Sequence, residues 1–147
     1  MKITQPVLLQ SFDDEFDIPK RDWRTPAAPG TVLADVPSEK VVGAKEHHKY
    51  RKGVGKLLHL QKKSRPEISN AVREASKFSS KPKPAHVGFM QRSIQYVVRT
   101  PKRGLFLKPT KLFDGSPDFK FVVGGRSDSD YAKDPATRKS DGGWYTY

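Results

Sequence analysis

The sequence predicts an α+β chain: an extended N-terminal tether, a small three-helix unit, and then an incomplete antiparallel β-sheet. Three observations predict it. Apolar residues recur at helical spacing in three consecutive stretches of residues 46–103, with proline-marked breaks between them. Pro6, Pro19, Pro26, Pro29 and Pro37 interrupt residues 1–45, each removing a backbone donor and restricting the residue before it. Over residues 104–147 the apolar runs become short and are separated by Gly, Asp-Gly and Ser-Pro turn signals.

In the tether, Asp13, Asp14, Glu15 and Asp17 cluster around Phe12 and Phe16. The two phenylalanines are four apart, so one helical turn would present both as anchors to a partner protein. The stretch RTPAAPGTVL reads as extended chain. In the first helix, residues 46–63, Tyr50, Val54, Leu57 and Leu58 form one apolar stripe. Gly53 and Gly55 each weaken that helix by roughly 1 kcal/mol, which implies close packing against another backbone. Pro66 ends this helix and opens the next, whose stripe is Ile68, Ala71, Val72, Ala75 and Phe78. After the breaker SSKPKP, a third stripe runs through Val87, Met90, Ile94, Val97 and Val98 and stops at Thr100–Pro101. Short connections between three amphipathic helices predict a small bundle. Beyond it, residues 104–107 and 119–123 read as strands of a long-looped hairpin around FDGSPD. RSDSDYAKD reads as a polar turn, and GGWYTY as a final strand that stops mid-pattern.

Composition narrows the function. Only 35% of the residues are hydrophobic, so the core must be small. Lys and Arg total 28 against 16 Asp and Glu, a net charge of +12 that attracts polyanions, nucleic acids first among them. The absence of Cys excludes disulfides and thiolate zinc sites. The apolar run at residues 7–9 is far too short for a signal peptide or membrane span, so an intracellular protein with no membrane partner is expected.

The positive charge is concentrated. Lys45, Lys49, Arg51, Lys52, Lys56, Lys62, Lys63 and Arg65 are accompanied between positions 45 and 65 only by Glu46. On a helix, Lys45, Lys49, Lys52 and Lys56 recur at i, i+4, i+7 and i+11, a line of cations suited to a phosphate backbone. Arg99, Lys102 and Arg103 form a second cluster. The four histidines have neither metal-pair spacing nor accompanying carboxylates, so structural or exposed roles are expected. Asp128, Asp130 and Asp134 follow the 119–123 run. Carboxylates at a strand end can hold divalent cations, but a polar turn with local ion pairs explains them as well.

Several blocks in order resemble a known family. YRKGVGKLLHLQKKSRPEISNAVREASKF (50–78), HVGFMQRSIQYVVRTPKRG (86–104) and GGRSDSDYAKDPATRKS (124–140) resemble the copia-type LTR-retrotransposon polyprotein where its reverse transcriptase ends and its RNase H domain begins. FDDEFDIP and RTPAAPGTVL are similar to the stretch upstream of these blocks. The sequence departs from the family pattern at Lys52, Lys62, Lys63 and Ala75 and in SDGGWYTY. The resemblance implies a helical reverse-transcriptase end over residues 46–103, packing near template and primer, and the opening strands of an RNase H-like fold after it. It makes Asp128 the first metal-binding carboxylate of RNase H, at the end of the first strand. The parent enzyme polymerises DNA on RNA and cleaves RNA–DNA hybrids with Mg2+. The polymerase Y-x-D-D motif does not occur here, and the remaining RNase H carboxylates lie downstream in the family. The chain alone is therefore expected to bind nucleic acid, without a cofactor and without catalysis, the rest of the polyprotein being its partner. The alternative is a free-standing basic helical protein that binds RNA or DNA.

Overall fold

The computed structural model describes residues 1–18, 21–108, 111–120, 122, 124–130, 138 and 140–146. The chain divides into two compact units, Met1–Lys108 and Pro109–Tyr147.

The first unit is helical. Helix α1 is Pro6–Glu15, α2 is Ala44–Lys63, α3 is Ser69–Ser76 and α4 is Pro84–Arg99. A 3-10 turn, Pro66–Ile68, joins α2 to α3. Proline stands in the first turn of α1, of the 3-10 turn and of α4, where its missing N–H costs nothing and its fixed φ suits the helix. The core is built from one stripe of each helix: Leu9 and Phe12; Tyr50, Val54, Leu57 and Leu60; Val72 and Ala75; Val87, Met90, Ile94 and Val97. On α2 this face pivots on Gly53. A Cβ there would collide with Met90 Sδ and stand 3.2 Å from Phe16 Cε1. At Gly55 an added Cβ would meet nothing within 4 Å, so the close packing expected of both glycines holds for Gly53 alone.

Residues 1–45 are not the poorly ordered tether that their prolines suggest. Leu9, Phe12 and Phe16 are buried, each worth roughly 1.5–3 kcal/mol when taken from water. That burial removes Phe12 and Phe16 as anchors for a separate partner, because the helices of this chain already cover them. Residues 17–43 hold no helix or strand where described, yet they are pinned across α3 and α4. Trp23 Nε1 donates to Gln95 Oε1 at 2.6 Å, and its ring lies 4.0 Å from the Arg92 guanidinium carbon. Leu33 N–H donates to the buried Glu74 carboxylate at 2.9 Å. Lys83 Nζ reaches the Val36 carbonyl at 2.7 Å and Asp35 at 2.7 Å. That ammonium holds the Asp35 carboxyl below its ordinary value. His86, fully buried, accepts the Lys83 N–H at Nδ1 and therefore donates from Nε2 to the Ala34 carbonyl, 3.0 Å away. A strap so satisfied is ordered by its backbone partners without regular secondary structure of its own.

Among the described residues there are also two two-stranded antiparallel sheets. Strand β1, Lys2–Ile3, pairs with β2, Leu105–Phe106, in the first unit. Gly104 precedes β2 because any Cβ there would collide with the Ile3 carbonyl oxygen. The 104–107 run is thus a strand whose partner is the N-terminus. Phe119, Lys120 and Val122, expected as that partner, are not in a strand, and residues 121 and 123 lie outside the described set. The boundary between units accordingly falls after Lys108 and not at 103. In the second unit β3, Gly125–Asp130, pairs with β4, Asp141–Thr146. Residues 125–130 therefore form a strand where turn chemistry had suggested a loop. Their sequence shows no apolar alternation, and the strand rests on the backbone ladder to β4. Among the described residues no helix is long and apolar enough to cross a membrane.

Candidate nucleic-acid interface

Helix α2 carries seven Lys or Arg and one Glu over Ala44–Lys63. At 100° per residue these cations separate into two sets. Lys45, Lys49, Lys52, Lys56 and Lys63 fall on the flank beside the buried stripe, and Arg51 and Lys62 fall on the side facing away from it.

The flank is already engaged. It meets the acidic end of α1, whose Glu15 carboxylate lies 2.7 Å from Lys56 Nζ and 2.9 Å from Lys52 Nζ. Lys56 also donates to Ser11 Oγ at 2.9 Å and to the Ser11 carbonyl at 3.2 Å, and its side chain is only 16% exposed. Hydrogen bonds from Lys56 and then Lys52 hold the Glu15 carboxyl below its ordinary value. Lys49 stands over the Phe16 ring, 5.5 Å from its centroid. A depression of ≈ 480 Å³ opens here, lined by Glu15, Phe16, Lys45, Glu46, His48, Lys49 and Lys52. The C-terminal half of the predicted line of four lysines is thus occupied by an internal carboxylate.

Arg65 is a correction. It is 1% exposed and belongs to the interior. Its Nε donates to Glu67 at 2.6 Å, Nη1 to the Thr100 carbonyl at 3.1 Å and Nη2 to Thr100 Oγ1 at 2.6 Å. Thr100 caps the C-terminal end of α4, where orphan carbonyls and the helix dipole attract a cation. Arg103 is drawn to the same end, donating to Tyr96 Oη at 2.7 Å. The guanidinium carbons of Arg65 and Arg103 lie 5.5 and 5.7 Å from the Tyr96 ring centroid. Arg99 stands 3.8 Å from Asp22, and Lys102 is exposed. Arg65 cannot reach a phosphate without unfolding this corner.

Arg51, Lys62 and Lys63 remain exposed, and none makes an ion pair among the described residues. His48 and His59 share the outer side of α2 with Arg51 and Lys62 and are exposed too. Metal-pair spacing does not reveal them, whereas their spacing relative to Arg51 and Lys62 does. His47 and His86 instead contact backbone carbonyls.

Asp128 lies within β3, not at a strand end, and its register partner on β4 is Gly143. Two residues further along the ladder, Asp130 pairs with Asp141. Asp134 lies outside the described residues. Among the described residues no group of three His, Cys, Asp or Glu is placed to hold a metal ion.

Comparison with known proteins adds a relationship. The chain is 32% identical over 123 residues to a retrovirus-related Pol polyprotein from a transposon of Arabidopsis thaliana, a match covering 84% of this chain and 8% of that protein. It is 33% identical over 95 residues to a secreted RxLR effector protein of Plasmopara viticola, covering 65% of this chain and 61% of that one. The chain therefore spans a small part of the first relative and less than two thirds of the second. No protein-family model matches it, and no solved structure matches it significantly. Over most of its length the chain is thus related to one short stretch of a retrotransposon Pol polyprotein.

Proposed function

We propose that the chain is a nucleic-acid-binding fragment of a copia-type retrotransposon polyprotein, spanning the end of the reverse transcriptase and the opening of the RNase H domain, and that alone it binds without catalysing. The observation that carries this is the 123-residue likeness to a transposon Pol polyprotein, which takes in the basic helix α2 and most of the ordered blocks of the family pattern. The exposed, unpaired cations of α2 supply the means: Lys and Arg that neutralise phosphates release condensed counterions, and binding follows. In the parent the ligand is the template–primer or RNA–DNA hybrid, the remaining partner is the rest of the polyprotein, and the setting is intracellular.

Catalysis is not proposed for this chain. Two-metal phosphodiester cleavage needs several converging carboxylates to hold Mg2+. The resemblance supplies one here, Asp128.

The test is direct. Full-length protein is titrated with a labelled RNA–DNA hybrid and with single-stranded RNA at several salt concentrations. Binding that weakens linearly in log Kd against log salt supports the reading, and salt-independent or absent binding refutes it. In parallel, hybrid cleavage with Mg2+ is expected to be absent. Robust cleavage abolished by Asp128→Asn would overturn the non-catalytic part. The self-contained core of Met1–Lys108 favours a second reading, a free-standing basic helical protein that binds RNA or DNA. Both share the salt dependence. A Y-x-D-D coding stretch upstream in the genomic DNA, and RNase H Glu and Asp codons downstream, would favour the first.

A further inference from the structure

The two glycines of α2 differ in what requires them. Gly53 is required by Met90 and Phe16, as described. Gly55 sits mid-helix and exposed, and an added Cβ would meet nothing within 4 Å. A glycine in such a place costs a helix roughly as much as any residue except proline, and no neighbour among the described residues accounts for it. Glycine also serves where another molecule's atoms must come close to a backbone.

The surroundings of Gly55 say which molecule. His48 and Arg51 precede it by seven and four residues, and His59 and Lys62 follow it by four and seven. Those offsets place all five on one stripe of the helix. All five are exposed, the stripe includes no carboxylate, and neither Arg51 nor Lys62 makes an ion pair among the described residues. Four nitrogen-bearing side chains flank the bare backbone of Gly55, and from His48 to Lys62 the helix rises about 21 Å. Duplex phosphates on one strand advance ~3.4 Å per step along the axis, so the stripe covers about six steps.

The geometry points to this outer stripe, His48–Arg51–Gly55–His59–Lys62, as the surface on which a phosphate–sugar backbone lies, seated across Gly55. The inference deepens the reading above and rests on it. It moves the contact from the Lys45–Lys49–Lys52–Lys56 line, where Glu15 pairs with Lys52 and Lys56, to a neighbouring face about 90° round the same helix. A protein partner on this stripe would need acidic side chains facing Arg51 and Lys62. A nucleic-acid backbone presents negative charge continuously along that length.

The experiment measures affinity of the full chain for the labelled hybrid against salt, with urea unfolding of each variant. Gly55→Ala is expected to raise the unfolding midpoint, since alanine is the better helix former, and yet to bind about tenfold more weakly, the equivalent of one lost hydrogen bond. Arg51→Gln and Lys62→Gln are each expected to lower the salt slope by about one with stability unchanged. Lys45→Gln is the control on the other flank and should change the slope little. If Gly55→Ala, Arg51→Gln and Lys62→Gln all bind like the wild type while Lys45→Gln and Lys49→Gln lose slope, the stripe is wrong and the nucleic-acid reading survives. If the wild type shows no salt-dependent binding, the reading fails and the stripe with it. Because Gly55→Ala is stabilising, its loss of binding cannot be put down to unfolding.

Discussion

Replacing Arg65 separates a structural cation from a binding one. The guanidinium is 1% exposed and makes three hydrogen bonds, one to Glu67 and two to Thr100 at the end of α4. Arg65→Met keeps much of the apolar stem and removes all three. Breaking a buried ion pair from one side typically costs about 3–5 kcal/mol, because the remaining charge is left unpaired. Here the abandoned carboxylate, Glu67, is 35% exposed and can recover water. The Thr100 carbonyl keeps only what water can reach at the α4 terminus. The expected loss is therefore smaller, about 2–3 kcal/mol. A helical unit of this size has roughly 5–15 kcal/mol in all, and each kcal/mol shifts its melting temperature by about 4–8 °C. Arg65→Met should therefore melt roughly 10–20 °C lower, and Arg65→Lys should recover only part of that, because an ammonium cannot span Glu67 and Thr100 as a planar fork does. Urea unfolding followed by Trp fluorescence measures it, with nucleic-acid affinity measured on the folded fraction. A variant as stable as the wild type, but with a salt slope lower by about one, would refute the structural assignment and return Arg65 to the binding surface.

Three further outcomes follow from the packing. Tyr50 is fully buried and donates to the Ala75 carbonyl at 2.6 Å, and burial pushes its hydroxyl up to about 12. The neutral form is favoured in the fold, so this stability is complete below the ordinary value of 10 and is lost as pH rises toward 12, on the order of 2–3 kcal/mol. Urea midpoints between pH 8 and 11.5 should fall more steeply for the wild type than for Tyr50→Phe, and equal slopes would contradict the assignment. Gly53→Ala gains about 1 kcal/mol of helix propensity but drives a methyl into Met90 and Phe16, so the net effect should be destabilising by about 1 kcal/mol, with Met90→Ala relieving it in a double-mutant cycle. Glu15, held below its ordinary value by Lys56 and Lys52, stabilises the α1–α2 contact above pH 4.5, and that contribution fades as pH falls through the lowered value. Glu15→Gln should therefore flatten the acid limb of a thermal-midpoint profile, and an unchanged limb would count against the clasp.

What the sequence disclosed depended on how far each cause lay from its effect. Helices α2, α3 and α4 were legible because their apolar stripes repeat at helical spacing and prolines mark their starts. Helix α1 was not. It is ten residues long in a proline-rich stretch, and its Leu9 and Phe12 become core only against residues of α2 and α4 far along the chain. The pairing of Phe12 with Phe16 was visible, and their rings do lie 5.8 Å apart, but the surface they anchor to belongs to the same polypeptide. Strand β1, two residues long, carries no pattern at all, and β3 reads as polar because its order comes from the backbone ladder to β4. The site followed the same rule. Local sequence counted the cations of α2 well, but Glu15 lies far upstream of Lys52 and Lys56, and Thr100 lies 35 residues beyond Arg65. Charge is a local property of sequence, whereas the availability of a charge is a tertiary one.

That distinction limits the electrostatic footprint. Of the eleven cations singled out, Lys52, Lys56, Arg65, Arg99 and Arg103 have acceptors in this chain and Lys49 has the Phe16 ring. Lys45, Arg51, Lys62, Lys63 and Lys102 are left exposed. A duplex releases roughly 0.9 counterion per phosphate neutralised, so contact through the outer stripe alone gives a slope of about −2, and engagement of all five gives about −4.5. Measuring the logarithm of the association constant against log salt for Met1–Lys108 and for the whole chain therefore reads how many cations are free to act. The core of residues 1–108 is closed within itself, which makes the shorter piece a fair object for the comparison. A slope near −2 that Arg51→Gln and Lys62→Gln together abolish is the expected result. A slope well beyond −5 from Met1–Lys108 alone would mean that Lys52, Lys56 and Arg65 abandon their internal partners on binding, and the division between structural and available charge would not hold.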